Sequence, residues 1–331
     1  MERSRLELER EILETESSRR PVWVKPNWSK GMIGRSSFRI SEERISAREG
    51  VEKRRRRKTA RQSARRRRET MAAESKSLKA CLTSVGNREQ EPLYGLFLAT
   101  FSPTMAEIAA HSGYDFAVID MLYGYGDIPH VLPCLHALSA THTPSLIRLP
   151  ESSAVWAKKA LDIGPAGLIF PGINSPKSAQ DAVSYCAYPP KGVRGAAHPA
   201  VRASNYGLDQ NYLSKCEHDL LIICQIDSEV GLESVKDIAA VDGVDCVMLG
   251  PLGPGLSPDK LRMAEDAVLE LKGSRGPGKG PHLAGCGGVE LKKLGYHLVC
   301  GSTDVTLFRD AALASVNSFK SSTSGSYIEC Y

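Results

Sequence analysis

Between residues 92 and 321 the chain alternates two textures. Short apolar runs rich in β-branched residues come first: "LYGLFLAT" (93–100), "DFAVIDM" (115–121), "SLIRLP" (145–150), "GLIFPGI" (167–173), "LLIICQID" (220–227), "DCVMLGP" (245–251), "PHLAGCG" (281–287) and "YHLVCGST" (296–303). Between them lie segments of helical period: "TMAEIAAHS", "IPHVLPCLHAL", "SAVWAKKALDI", "SPKSAQDAVSYC", "LESVKDIAAV", "PDKLRMAEDAVLELKG" and "VELKKLG". "VTLFRDAALASVNSFK" follows the last run. Runs of 4–8 apolar residues set between helical periods predict strands alternating with helices. Strands apolar on both faces belong to a parallel sheet covered on both sides. Eight such units in about 220 residues predict an α/β fold, a TIM (β/α)8 barrel. Pro133 falls inside the second helix and is expected to kink it.

Residues 1–76 do not share this texture. They hold 23 Lys/Arg and 12 Asp/Glu, a net of +11, whereas residues 77–331 carry a net of −6. The overall +5 therefore describes the first segment and not the body. "KRRRRKTARQSARRRRE" (53–69) repels itself and has no apolar period. The expected organisation is a disordered basic arm (1–76), a barrel (77–321) and a flexible tail (322–331). Nucleic-acid contact through phosphate neutralisation is one reading of the arm; a solvated tail is the other. No aromatic residue lies within the Arg-rich run to stack on bases. Its 12 acids match poorly to an organelle transit peptide. "MAAESKSLKACL", from Met71, would itself make an ordinary chain start.

Nine cysteines include no C-x-x-C pair and no metal-type spacing. Several lie inside apolar runs, where a thiol packs as a small hydrophobe. The expectation is a reducing, intracellular setting, cytoplasmic or organellar. No apolar run approaches the roughly 18–20 residues needed to span a bilayer.

Chemistry in a barrel of this kind gathers where the strands end. The ends read Asp120 with Leu122 and Tyr123, then Arg148, Pro171, Gln225 with Asp227, and Gly250–Pro251 with Gly253. Arg148 can fork onto a carboxylate or an enolate oxygen, or close a rim salt bridge. Asp227 reads as a metal ligand, a base or a loop cap. Asp162, ending "KKALDIG", reads as an orienting acid or a surface one. "GSRGPGKGP" (273–281) lacks the phosphate-loop pattern and reads as a connector. His198 in "RGAAHP" reads as a surface histidine.

Four stretches carry a family resemblance: "LYGLFLATFSPTMAEIAAHSGYDFAVIDM", "KKALDIGPAGLIFPGINSPKSAQDAVSYCAYPPKGVRG", "ICQIDSEVGLESVKDIAAVDGVDCVMLGP" and "GSTDVTLFRDAA". Over about residues 77–313 the chain resembles the HpcH/HpaI aldolase (citrate lyase-like) family, and its plant members in particular. The pairing of "YPPKGVRG" with "VDGVDCVMLGP" is the most specific part. The resemblance implies a homo-oligomer with exchanged C-terminal helices and a class II aldolase reaction. A divalent ion (Mg²⁺, Mn²⁺ or Co²⁺) would hold pyruvate or another small 2-oxo acid and polarise its carbonyl. By the same resemblance Arg148 stabilises the enolate oxygen, Gln225 and Leu252 contact substrate, Asp227 takes the place of a metal-binding Glu, and Gly253 that of a second metal-binding Asp. Tyr123 replaces a proton-relaying His, and Asp162 matches the acid supporting that His.

The departures matter chemically. Asp for Glu at 227 is shorter by about 1.5 Å, and Gly253 supplies no ligand; aligning Gly255 there instead changes nothing. Asp259 is the nearest other carboxylate. Leu122 removes a further acid. An ordinary phenol, with a reference pKa near 10, is only about one part in a thousand ionised at pH 7, where an imidazole is largely free to accept a proton. The expected function is a carbon–carbon lyase cleaving a 2-oxo/4-hydroxy acid to pyruvate and an aldehyde, weakened in this chain. Two alternatives stand beside it: a catalytically impaired barrel that binds 2-oxo acids or assembles with an active paralogue, and another barrel chemistry on a phosphoenolpyruvate-like substrate.

Overall fold

The computed structural model describes residues 77–85, 92–250, 259, 262–263, 266, 282–285 and 296–321, all within the unit Arg57–Tyr331. The basic arm 1–76, the 273–281 connector, Leu252, Gly253, Gly255 and the tail 322–331 lie outside the described residues.

All eight apolar runs form strands: β1 (Leu93–Leu98), β2 (Phe116–Asp120), β3 (Ser145–Arg148), β4 (Gly167–Phe170), β5 (Leu221–Ile226), β6 (Cys246–Leu249), β7 (His282–Gly285) and β8 (Leu298–Thr303). Each pairs in parallel with the next, and β8 returns to β1 to close a TIM-like barrel. Helices α2 (Pro103–Ser112), α3 (Ile128–Ala140), α4 (Ala154–Asp162) and α5 (Pro176–Cys186) follow the first four strands, and α9 (Asp304–Ser321) follows the last. Between α5 and α9 lie α6 (Tyr212–Asp219), α7 (Glu229–Glu233) and α8 (Val235–Ala239). Ahead of β1 lies α1 (Leu78–Val85).

Strand parity sorts the core into two layers. Leu93, Phe97, Phe116, Val118, Leu146, Ile169, Leu221, Ile223, Cys246, Met248, Leu298 and Cys300 fill the barrel. The alternate residues, Leu96, Leu98, Ala117, Ile119, Ile147, Leu168, Ile222 and Val247 among them, pack with the helices. This is the period of two that a strand imposes. Leu78 and Leu82 of α1, one helical turn apart, join the inner layer. Lys79 ties α1 to the strand entrances by an ion pair with Asp245 at 2.8 Å and a bond to the Leu220 carbonyl at 3.2 Å.

The turns that aim the helices are written in serines. Ser102, Ser153, Ser175 and Ser228 each precede a helix, and each side chain accepts from the backbone N–H three residues on. That satisfies a donor the first helical turn leaves open. Gly113 ends α2 at φ 106, a left-handed cap that favours glycine. Pro133 lies inside α3, which continues to Ala140.

Three features depart from expectation. The segment 232–241 is no single helix: α7 and α8 meet at Ser234. Helix α6 went unread because Tyr212 is its only buried residue, so no apolar period marks it. Among the described side chains of helix α1, two leucines are buried at the edge of the basic arm, too few to stand out from it.

Candidate active site

The polar groups at the carboxyl rim obey the parity of the inner layer. Asp120 follows Phe116 and Val118, Arg148 follows Leu146, and Gln225 follows Leu221 and Ile223, each by steps of two. All three are buried, with Arg148 5% exposed. A charged group so placed needs a partner, because an unpaired buried charge is costly.

Arg148 has one. Its Nε donates to Asp120 Oδ1 at 2.8 Å and its Nη2 to Asp120 Oδ2 at 2.5 Å, a two-pronged guanidinium–carboxylate pair. Backbone N–H groups of Leu122 (3.1 Å) and Tyr123 (3.4 Å) also donate to Asp120 Oδ1. Nη1 of Arg148 reaches Gln225 Oε1 at 3.3 Å. Gln225 Nε2 then donates to both oxygens of Asp227, at 2.8 and 3.0 Å, and the Gly172 N–H donates to Asp227 Oδ2 at 3.2 Å. The four side chains thus form one chain of bonds, Asp120–Arg148–Gln225–Asp227, across the barrel mouth. Of a guanidinium's five N–H groups, three are taken, which leaves two for an incoming oxygen.

Two aromatic rings lie against the same guanidinium. Its central carbon lies 4.5 Å from the Phe97 ring centroid and 4.9 Å from that of Tyr123, within cation–π range. Phe97 closes from within the barrel, and Tyr123 is 62% exposed. Burial pushes the Cys300 thiol in the inner layer upward, and the charge of Arg148 pulls it the other way. At β6, a Cβ added to Gly250 would stand 2.1 Å from Asp227 Oδ1, so glycine is what lets this carboxylate lie flat across the rim.

The structure brings together Arg148, Tyr123, Gln225 and Asp227 of the residues singled out from sequence. It separates Asp162 from them. Asp162 ends α4, five residues before β4 begins, so it lies where the strands enter, opposite the Arg148 end of β3. It pairs with Lys158 at 2.6 Å and Arg194 at 3.5 Å. A helix that follows a strand runs back toward the strand entrances, and its last residue cannot share the rim within one chain. His198 opens a short 3₁₀ turn on the β4–β5 connection. Asp259 is helical and exposed.

Sequence reasoning missed Phe97, and it missed the partner of Asp120. Phe97 has the signal of parity with Leu93, but an aromatic ring on an apolar strand reads as core. Asp120 was visible at its strand end, but nothing local said that Arg148, 28 residues away, would claim it.

A divalent ion needs oxygen ligands, and Mg²⁺ takes one or two carboxylates with the remainder from water and substrate. Among the described residues no cluster of three or more His, Cys, Asp or Glu stands ready for a metal. Asp227 meets the minimal requirement: it is a half-exposed rim carboxylate on the Gln225 side of Arg148. Its charge, shared among three N–H contacts, makes it a weak anchor.

The family model described as HpcH/HpaI aldolase/citrate lyase matches residues 93–253, the stretch holding all four of these side chains. A hydroxypyruvate/pyruvate aldolase of Paraburkholderia phytofirmans is 41% identical over 170 residues, covering 50% of this chain and 65% of that protein, a little under two thirds. A 2-keto-3-deoxy-L-rhamnonate aldolase of Salmonella gallinarum is 30% identical over 248 residues, 71% of this chain and 92% of that one. Among solved structures, an HpcH/HpaI aldolase/citrate lyase family protein from Burkholderia cenocepacia superposes with a TM-score of 0.65 at 31% identity, covering 73% of this chain and 99% of that one.

Proposed function

The chain belongs to the HpcH/HpaI aldolase/citrate lyase family, and from that premise we propose that it is a (β/α)8 carbon–carbon lyase. It cleaves a 2-oxo-4-hydroxy acid to pyruvate and an aldehyde, slowly. In this reaction the C3–C4 bond breaks, its electrons form the enolate of pyruvate, the C4 hydroxyl loses its proton as the aldehyde forms, and C3 takes a proton. The observation that carries the reading is the buried Arg148, pinned by Asp120 with two N–H groups unspent. A pre-aimed guanidinium in a site shielded from water stabilises an oxygen as it becomes negative and needs no reorganisation.

A divalent ion, Mg²⁺, Mn²⁺ or Co²⁺, would be held by Asp227 and the 2-oxo acid's own oxygens and would polarise the 2-oxo group as a Lewis acid. Gln225, bonded to both Arg148 and Asp227, keeps the two charged groups in register. Tyr123 covers the solvent side of Arg148 and takes the relay position. A phenol is a poor proton acceptor at neutral pH, and the weakness of the reaction is assigned to it. Asp162 has no part in the rim of its own barrel.

The same Tyr123 favours a second reading, in which the barrel binds 2-oxo acids without turning them over. Pyruvate methyl-proton exchange in D₂O, followed by NMR on the full chain with Mn²⁺ and with chelator, separates the two. Metal-dependent exchange supports the lyase. Saturable pyruvate binding without exchange supports the binder, and exchange that survives chelation sinks both in favour of another barrel chemistry.

The homo-oligomer belongs to the same proposal. Helix α9 exposes Phe308 (71%), Leu313 (55%) and Phe319 (83%), apolar surface that a partner copy would cover. Among the described residues no helix is long and apolar enough to cross a membrane.

A further inference from the structure

At the opposite end of the barrel a cavity of about 530 Å³ lies under the entrances of β3, β4 and β5, beside Pro144, Ala166 and Leu220. Arg194, from "YPPKGVRG", lines it. That segment folds back on α5 through Val193 N–H to the Ser184 carbonyl (2.9 Å) and Arg194 N–H to the Ala187 carbonyl (3.0 Å). Gly192 makes this fold possible, since a Cβ there would meet the Ser184 carbonyl oxygen at 2.2 Å.

The Arg194 side chain is 2% exposed but incompletely partnered. Nη2 donates to the Tyr212 hydroxyl at 2.9 Å, and the guanidinium lies 4.7 Å from the Tyr188 ring centroid. Nη2 also donates to Asp162 Oδ1, at the long distance of 3.5 Å, and the other oxygen of that carboxylate holds Lys158 at 2.6 Å. Nε is buried and finds no acceptor among the described residues. Compare Arg148, which has a carboxylate of its own at 2.5 and 2.8 Å. A buried guanidinium left short of acceptors is a cost that a ligand oxygen removes. The other cation on this wall, Lys215, is held by Asp209 at 2.9 Å. What sets Arg194 apart is its buried Nε–H, which has no acceptor among the described residues.

We propose that this cavity is a second ligand site and takes a small oxyanion, a carboxylate or a phosphate, on the Arg194 guanidinium. The anion accepts from the Arg194 N–H groups, and the Tyr212 hydroxyl, which accepts from Nη2, turns its own proton toward it. The site shares no residue with the rim and does not depend on the aldolase reading.

The test is calorimetric titration of the full chain with inorganic phosphate and, separately, with acetate, in parallel with Arg194→Gln and with Lys177→Gln, an exposed cation outside the cavity. Saturable binding of at least one anion is expected, weakened at least tenfold by Arg194→Gln and unchanged within about twofold by Lys177→Gln. Which anion binds names the source. In the unsubstituted chain, the NMR resonance of the Arg194 Nε–H is expected to move with the same midpoint, a readout that holds even if the glutamine variant does not fold. No saturable binding, binding that survives Arg194→Gln, binding lost equally with Lys177→Gln, or a stationary Nε–H resonance at saturation would each overturn the proposal.

Discussion

Asp120 and Arg148 end adjacent strands in exact register and join through two parallel N–H···O bonds of 2.8 and 2.5 Å. Neither is exposed by more than 5%, so the pair fixes the guanidinium plane while hiding it from water. Removing the carboxylate strands the cation. Asp120→Asn is expected to lower stability by about 3–5 kcal/mol, the usual cost of breaking a buried pair. It is also expected to slow pyruvate exchange by a factor on the order of ten to a hundred, through loss of aim. Urea unfolding and the D₂O assay measure the two effects; full exchange in a destabilised variant would mean that Asp120 serves folding alone.

Tyr123 lies against Arg148 and Asp227 accepts from Gln225, so each touches one member of the Arg148–Gln225 pair. Tyr123→His with Asp227→Glu places an imidazole and a longer carboxylate on a scaffold otherwise unchanged. A gain in metal-dependent exchange of roughly a hundredfold is expected, within the usual range for a positioned acid–base group. Tyr123→Phe alone is expected to retain pyruvate binding, because the ring face toward Arg148 is kept. If the double variant gains nothing while binding Mn²⁺ normally, the proton relay is not what limits the chain.

Much of this was readable in the chain itself, and the reasons are local. Eight apolar runs bounded by glycine, proline or acids specify buried parallel strands, and the described strands lie inside each of them. Arg148, Gln225 and Asp227 were legible as a site because a polar residue ending an apolar strand breaks its own pattern. What closed the site was not local. The claim of Asp120 on Arg148 and the ring of Phe97 over the guanidinium depend on the closing of a barrel, which sets residues 97, 120, 148 and 225 side by side. Asp162, assigned by resemblance as the acid supporting the relay, ends α4 at the strand entrances of its own barrel, a placement that depends on the direction the helix runs and that no local pattern shows. Arg194 was seen only as part of a motif, because its incomplete partnering is a property of the packed chain.

The buried thiols carry a pH signature. Burial pushes Cys134 up to about 11 and Cys224 to about 12 from an ordinary 9.0. The folded chain therefore holds protons that the unfolded chain releases. The associated stability is complete below the ordinary thiol value and is lost as pH rises through the raised ones. Melting temperature is expected to fall between about pH 9 and 11, less steeply in Cys134→Ala. At pH 8 native Cys134 and Cys224 are expected to resist iodoacetamide and to react in urea; native labelling at the unfolded rate would contradict their burial.

Gly95 and Phe116 offer a test of the inner layer. They are register partners on β1 and β2, and a Cβ on Gly95 would come within 2.4 Å of the Phe116 ring. Phe116 is fully buried and cannot retreat. Gly95→Ala is expected to cost about 1–3 kcal/mol through overpacking, although alanine is otherwise the better strand residue on backbone entropy. Gly95→Ala with Phe116→Leu should recover part of that loss, since the shorter side chain vacates the ring position. Urea midpoints of the two single variants and the double variant form a cycle. Strict additivity would mean that the ring and the new methyl never meet.

Helix α9 gives the last test. Phe308 and Phe319 are 71% and 83% exposed, on a helix whose only buried residue is Asp304. Asp304 anchors the helix start through bonds from the Ala99 N–H (2.9 Å) and the Thr100 N–H (3.2 Å), so the helix is fixed at its start. A large exposed apolar surface marks an interaction site, and a second copy of the chain is the partner proposed here. Phe308→Glu with Leu313→Glu is expected to lower the mass measured by light scattering to that of a smaller assembly, while far-UV circular dichroism stays unchanged because both side chains are more than half exposed. Scattering that reports the same mass for both chains would place the contact elsewhere, and an unsubstituted chain that is already monomeric would remove the contact altogether.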